Sequence, residues 1–246
     1  MNDANERTLD EAMSAPDVLT GAPGETELTV SRRRAVARAR WAAIVFVIAL
    51  CLYGGLAVLA RRYAYFDWDV KVNHAIRAVQ VPGFAPLMVA LSWLGSGLMP
   101  TILVVGAGVA LYVARFRLEG TLCMIGVSLG AVMNSLTKLI VARPRPDASL
   151  IEVMRHYEHN SFPSGHVEFF VTFFGFLLFL GYVLLKRGWL RRAVVIVCGL
   201  LIALIGVSRV YLGAHWPSDT VGAYLAGGLW LMLMIEIYRR LKKRQR

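Results

Sequence analysis

The sequence predicts an all-α polytopic membrane protein, a bundle of six transmembrane helices, and three observations carry that expectation. Hydrophobic residues make up 57% of the 246, and the mean hydropathy is +0.55, more apolar material than a soluble domain of this length carries. This material is gathered into runs close to the roughly 20 residues that a bilayer crossing requires. The 27 lysines and arginines flank the runs and form no single patch interleaved with aromatics. The net charge of +11 is therefore read as membrane topology, and no nucleic-acid partner is expected.

Residues 1–30 are polar, carry seven acidic side chains and contain Pro16, Gly21, Pro23 and Gly24, too little apolar surface to fold alone. Residues 1–40 are accordingly expected as a disordered tail closing on the basic run SRRRAVARAR. The first span is placed at 41–60, as an uncleaved helix, since a signal peptide would have a shorter apolar core. Residues 61–84 mix aromatic with charged side chains and are expected outside the membrane or at its surface. The apolar stretch 86–116 is too long for one straight helix and is interrupted by Gly95, Gly97 and Pro100. It divides into an interfacial piece and a second span over 98–114, closed by Arg115 and Arg117. Spans three to six are placed at 122–141, 167–185, 193–207 and 221–237, so that 41–238 is the membrane domain and 239–246 a basic tail. Cys51, Cys123 and Cys198 lie inside apolar runs with no CxxC or Cys/His spacing, and neither a disulfide framework nor a zinc site is expected.

Six spans put both termini on one side. The N-terminal tail, the turn at Arg115 and Arg117, the 186–192 loop and the C-terminal tail hold 18 of the lysines and arginines, and the other connections hold nine. The richer side is expected to be cytoplasmic, in the plasma or inner membrane. Lys138, Arg143, Arg145, Arg155 and Arg209 then fall near the outer ends of helices three to five.

Three stretches at that outer end carry chemistry. In NSFPSGHVEFF (160–170) a turn-forming run passes straight into an apolar one, which marks a helix start with free N–H groups and the positive end of a dipole. Gly165 lets an anion approach the backbone there, and His166 stands at the mouth. Taken alone, the stretch equally fits Ser164 as a plain helix cap with His166 an interfacial histidine. In the second stretch Lys138 and Arg145 are seven residues apart, two helical turns, and begin on one face before Pro144 and Pro146 end the helix. In the third, SRVYLGAHWPSD (208–219), Arg209 is a lone charge in an apolar context. Pro217 suits the first turn of a helix, which places Asp219 in that turn, four residues after His215. A carboxylate at that spacing can accept the Nδ1 proton of His215 and leave Nε2 as a base or nucleophile; simple capping fits the same pair. Together the stretches fit one reaction: cations and a helix N-terminus bind a tetrahedral anion, one histidine attacks and another protonates the leaving oxygen. No metal ligand set and no cofactor are called for.

Lys138 with six residues to Arg145-Pro146, PSGH at 163–166, and Ser208-Arg209 with five residues to His215 and three more to Asp219 resemble the three-part signature of the type 2 phosphatidic acid phosphatase superfamily. These are membrane lipid phosphate phosphatases related to vanadium haloperoxidases, and the likeness spans roughly residues 66–236. The resemblance implies a six-helix bundle with the site at its outer surface. It implies His215 as the nucleophile forming a phosphohistidine, Asp219 as its orienting group and His166 as the general acid. It also implies Lys138, Arg145, Ser164, Gly165 and Arg209 as phosphate-binding residues. Glu168 is a departure, since a small or apolar residue is expected in that first turn; a carboxylate there repels phosphate unless it is paired, with a nearby cation the expected partner.

The expected function is hydrolysis of a lipid phosphate or diphosphate, with a polyprenyl diphosphate such as undecaprenyl diphosphate, phosphatidic acid and phosphatidylglycerol phosphate as candidate substrates, and membrane lipids as the surroundings. One alternative is a lipid phosphotransferase using the same phosphohistidine. Another, from a different class, is a transporter or scaffold on the same fold, which should carry polar residues and broken helices near mid-membrane, whereas this ionisable cluster sits at helix ends. The 147–160 loop, with Arg155, His156, Tyr157 and His159, is expected to shape head-group choice.

Overall fold

The computed structural model describes residues 23–154 and 159–245, and every regular element among them is a helix. The chain forms two units, 1–45 and 46–246. In the first, the described residues belong to the opening part of α1 (Pro23–Arg62), and the side chains from 36 to 45 are all exposed. This corrects the expectation of an irregular tail to residue 40. Arginine and alanine are strong helix formers, so a helix nucleated by the apolar run extends back through SRRRAVARAR at little cost. Residues 1–22 of the expected tail lie outside the described residues.

The second unit holds the rest of α1 and then α2 (Asp67–Arg77), α3 (Phe84–Leu94), α4 (Met99–Val113), α5 (Arg117–Val141), α6 (Gly165–Leu184), α7 (Trp189–Tyr211) and α8 (Pro217–Arg244). Among the described residues five helices are long and apolar enough to cross a membrane, and α3 with α4, bent by 63° at a short break, pass the same test only when taken together, as a broken span or a re-entrant loop. The expected all-helical membrane bundle is there, with five spans, and six where the bent pair counts as one. The piece expected at the interface before span two is α3, and it joins the bundle: it packs against α7 with Met88, Leu91 and Ser92 buried. Its sequence, FAPLMVALSWL, has no polar face to offer to head groups. Helices α5, α7 and α8 all run past the limits read from hydropathy, because charged residues at a span's ends stay helical beyond the hydrocarbon.

α6 is the central helix. Its apolar window is 56% buried, against at most 33% in any other candidate span, and Phe170, Phe173 and Phe176 fill the core around it. α7 and α8 pack on α6, and α5 closes a third side. At the far end of α5 from the site, Glu119 Oε1 accepts hydrogen bonds from Tyr238 (3.1 Å) and Lys242 (2.8 Å) and ties α5 to α8.

Two helix starts position the carboxylates of the site. In α2, Asp69 Oδ2 accepts the Phe66 N–H (3.0 Å), and in α8, Asp219 Oδ2 accepts the Trp216 N–H (2.9 Å), each satisfying a donor the helix leaves free. Pro217 stands at the first turn of α8 as the spacing predicts. α5 ends at Val141, where the third span was placed: Ala142 adopts the left-handed conformation (φ 52°), and Pro144 disfavours the helical conformation at Arg143. Arg145 therefore lies beyond the helix, and it is the turn of the chain, not a shared helix face, that brings it to Lys138.

Candidate active site

The end of α5, the segment 142–164, the start of α6, the end of α7 and the start of α8 bring the eight candidate residues to one place. Lys138, in the last turn of α5, donates from Nζ to the carbonyls of Asn160 (2.8 Å) and Ser161 (3.3 Å), while Asn160 Nδ2 donates back to the Lys138 carbonyl (2.9 Å). That exchange clamps the residues just before PSGH against α5. Arg145 donates from Nε to the His159 carbonyl (2.5 Å) and from Nη1 to the Ala214 carbonyl (2.7 Å), which carries its guanidinium across to the 212–216 turn. Arg209, at the end of α7 and 1% exposed, donates to the Ser92 hydroxyl of α3.

Ser164 is the N-cap of α6, yet its side chain makes no capping hydrogen bond. Its hydroxyl is fully buried and without a hydrogen-bond partner among the described residues. A polar group left so costs on the order of 1–3 kcal/mol, and a capping role does not account for it. With Gly165 as the first residue of α6, the hydroxyl and the free N–H groups of the first turn form one donor set.

His215 precedes α8 and is 2% exposed. Arg145 Nη1 stands 3.4 Å from its Nε2. A guanidinium only donates, so this contact requires Nε2 to be unprotonated and the ring proton to sit on Nδ1. The direct bond expected from Nδ1 to Asp219 is not formed: Oδ2 is 3.7 Å away. The Ser161 hydroxyl donates to that oxygen at 2.5 Å and lies 3.4 Å from Nδ1, so a serine stands between histidine and carboxylate. Burial, and then the charges of Lys138, Arg145 and Arg209, hold the His215 imidazole well below the ordinary 6.5 of a histidine. It is neutral, which is what a nucleophile must be.

Asp219 is engaged on its other side by a residue that the sequence motifs do not single out. Arg143 donates from Nη1 to Asp219 Oδ1 (2.6 Å) and the Ser218 hydroxyl (2.7 Å), from Nη2 to Asp69 Oδ2 (3.1 Å), and from Nε to the carbonyls of Tyr63 (3.2 Å) and Ala64 (3.1 Å). Asp69 in turn accepts the Ser218 N–H and hydroxyl, both at 2.8 Å. The helix expected at the membrane surface thus supplies a buried carboxylate to the site.

Glu168 is 5% exposed and accepts from the Asn134 amide at Oε2 (2.5 Å), with Lys138 as the nearby cation whose charge acts on it. His166 Nε2 lies 3.0 Å from the Ser96 hydroxyl. His159 acts through its backbone, while Arg155, His156 and Tyr157 lie outside the described residues. Arg143 and Ser96 have one weak signal in the sequence, each being a polar residue inside or beside an apolar run; Asp69 and Ser161 lie in mixed and turn-forming stretches and have none.

A family model described as the PAP2 superfamily matches residues 120–243. The phosphatidylglycerophosphatase B of Bacillus subtilis (strain 168) is 29% identical over 76% of this chain and 92% of its own length. An undecaprenyl-diphosphatase of Sulfolobus acidocaldarius is 27% identical over 69% of this chain and 78% of its own length. Among solved structures, the transmembrane PAP2 type phosphatidylglycerolphosphate phosphatase from Bacillus subtilis superposes with a TM-score of 0.68 at 24% identity, over 79% of this chain and 96% of that one, a likeness of fold.

Proposed function

The chain belongs to the PAP2 superfamily and is a membrane lipid phosphatase, and on that premise we propose that it removes the terminal phosphate of a lipid phosphate or diphosphate through a phosphohistidine on His215. Lys138, Arg145, Arg209, the Ser164 hydroxyl and the first N–H groups of α6 hold the phosphate oxygens. His215 Nε2 bonds to phosphorus as the P–O bond on the lipid side breaks, and His166 gives its proton to the departing oxygen. The leaving group is an alcohol from a phosphomonoester and a lipid monophosphate from a diphosphate. Water then attacks the phosphohistidine, returning a proton to His166 and releasing inorganic phosphate. Asp219, with Ser161, keeps the proton of His215 on Nδ1.

The observation that carries this reading is the Ser164 hydroxyl, buried at the head of α6 and committed to no cap. A phosphate oxygen is the partner that fits it, since Lys138 stands on the carbonyls of Asn160 and Ser161 just before it and the helix end presents donors. A polyprenyl diphosphate, phosphatidic acid and phosphatidylglycerol phosphate remain the candidate substrates, and the names of the relatives favour the first and the last. The site faces the extracytoplasmic side of the plasma or inner membrane, with both termini cytoplasmic and 41–238 as the phosphatase domain; the charge count supports this.

The test is release of inorganic phosphate by the purified protein from a panel of lipid mono- and diphosphates. Hydrolysis that survives EDTA and is inhibited by orthovanadate, a mimic of five-coordinate phosphorus, is the expected result. No release from any member of the panel, or release that depends strictly on added magnesium, would overturn the reading.

A further inference from the structure

The break between α3 and α4 does more than bend a span. Ser96, within it, donates its single hydroxyl proton to the Ser92 carbonyl (2.8 Å), so its oxygen can only accept from His166 Nε2, 3.0 Å away. The proton of that contact therefore belongs to the histidine. Gly95 makes the approach possible: a Cβ there would lie 2.5 Å from His166 Cδ2. The neighbouring Ser92 hydroxyl accepts from Arg209, so one turn of chain touches both the acid histidine and a phosphate-binding arginine. Trp93 and Leu98, in and beside the same turn, are 57% and 76% exposed, so its other side is open and apolar.

We propose that Ser96 is a positioning residue for the acid step: it holds the Nε2 proton of His166, leaves Nδ1 as the nitrogen that exchanges a proton with the leaving oxygen and with water, and so sets how well the enzyme expels a basic alkoxide. The proposal rests on the reading of His166 as general acid. Ser96 accepts from Nε2 in the neutral and in the doubly protonated ring alike, so the proton that comes and goes is the one on Nδ1. A leaving oxygen that needs no proton gains nothing from this. Ser96 is thereby a determinant of substrate preference, favouring phosphomonoesters of alcohols over substrates whose leaving group is already a good anion.

The experiment compares Ser96→Ala, Ser96→Thr, His166→Ala and the Ser96→Ala/His166→Ala double variant on phosphatidic acid and on p-nitrophenyl phosphate. Loss of one hydrogen bond is expected to lower kcat on phosphatidic acid by about three- to tenfold, with KM unchanged and p-nitrophenyl phosphate hydrolysis within about twofold of wild type. Ser96→Thr should restore the rate, and Ser96→Ala should cost nothing further once His166 is gone. Equal losses on both substrates, or losses that multiply with His166→Ala, would overturn the proposal. A second readout does not depend on turnover: ring-nitrogen NMR of 15N-histidine-labelled protein, with the His166 signals identified by their absence in His166→Ala. Wild type should show the proton on Nε2, and Ser96→Ala a mixture of tautomers. A proton on Nδ1 alone in the wild type would contradict the proposal even if the enzyme is active; the expected tautomer in a protein that hydrolyses neither substrate would leave the proposal standing and sink the phosphatase reading.

Discussion

Arg143 Nη1 lies 2.6 Å from Asp219 Oδ1, and both side chains are fully buried. The same guanidinium reaches Asp69 Oδ2 at 3.1 Å, so one cation serves two carboxylates, each of which also caps the start of its own helix. The consequence is that α2 and α8 are locked together through a side chain from the segment after α5, and the carboxylate beside His215 is fixed from behind. Such a hub needs the planar fork of guanidinium donors, and lysine has no equivalent geometry.

Arg143→Met should therefore destabilise the fold by on the order of 3–5 kcal/mol, because it leaves two buried carboxylates without their cation. Arg143→Lys should recover only part of that. Thermal unfolding of the detergent-solubilised protein measures both. A midpoint for Arg143→Met equal to wild type would show that the network contributes nothing to folding.

Ser164→Ala should separate binding from stability. The hydroxyl makes no hydrogen bond among the described residues, so its removal should leave the unfolding midpoint unchanged or slightly raised. Orthovanadate affinity should fall by roughly ten- to hundredfold, the worth of about 1.5–3 kcal/mol for a hydrogen bond to a charged group. The opposite pattern, lost stability with unchanged vanadate affinity, would make Ser164 a cap and nothing more.

How far the sequence is legible depends on the physics of each signal. The bundle is legible because apolar runs long enough to span a bilayer have no soluble alternative, and the eight candidate residues because three short spacings are rigid local geometry. The network around Asp219 is not. Arg143 sits two residues before Arg145, and nothing local says that one turns inward to bury itself against Asp69 while the other faces the pocket; that is decided by the left-handed Ala142, a tertiary effect. Asp69 lies in a segment whose aromatics and charges read as membrane surface, and the amphipathic helix that buries only Asp69 and Asn73 fits that composition equally well. The spacing of His215 and Asp219 brings the two side chains near each other, but four residues across a helix start leave 3.7 Å, and the serine that fills the gap comes from another part of the chain.

The pH dependence follows from the environment of His215. A neutral imidazole is the attacking form, and burial with three nearby cations holds its pKa well below 6.5, so the acid limb of kcat/KM should lie below pH 6.5. Lys138 is the largest of the charges that depress it. Removing a positive neighbour raises the pKa, so Lys138→Met should shift the acid limb upward relative to wild type on the same substrate, whose own titration cancels in the comparison. A limb that stays in place or moves down would remove Lys138 from the surroundings of His215.

Orientation is tested by cysteine labelling in intact cells, in a Cys51→Ser background because Cys51 is exposed. Ser149→Cys should react with an impermeant thiol reagent and Arg187→Cys should not. The reverse would place the site on the cytoplasmic side.

The central claim, covalent catalysis by His215, is tested most directly by acid-free quenching of the enzyme during turnover of a substrate carrying 32P in its terminal phosphate. Wild type should yield a phosphoenzyme that is stable to base and labile to acid, as a phosphorus–nitrogen bond is, and His215→Ala should yield none with any leaving group. A labelled phosphoenzyme that persists in His215→Ala would contradict the account.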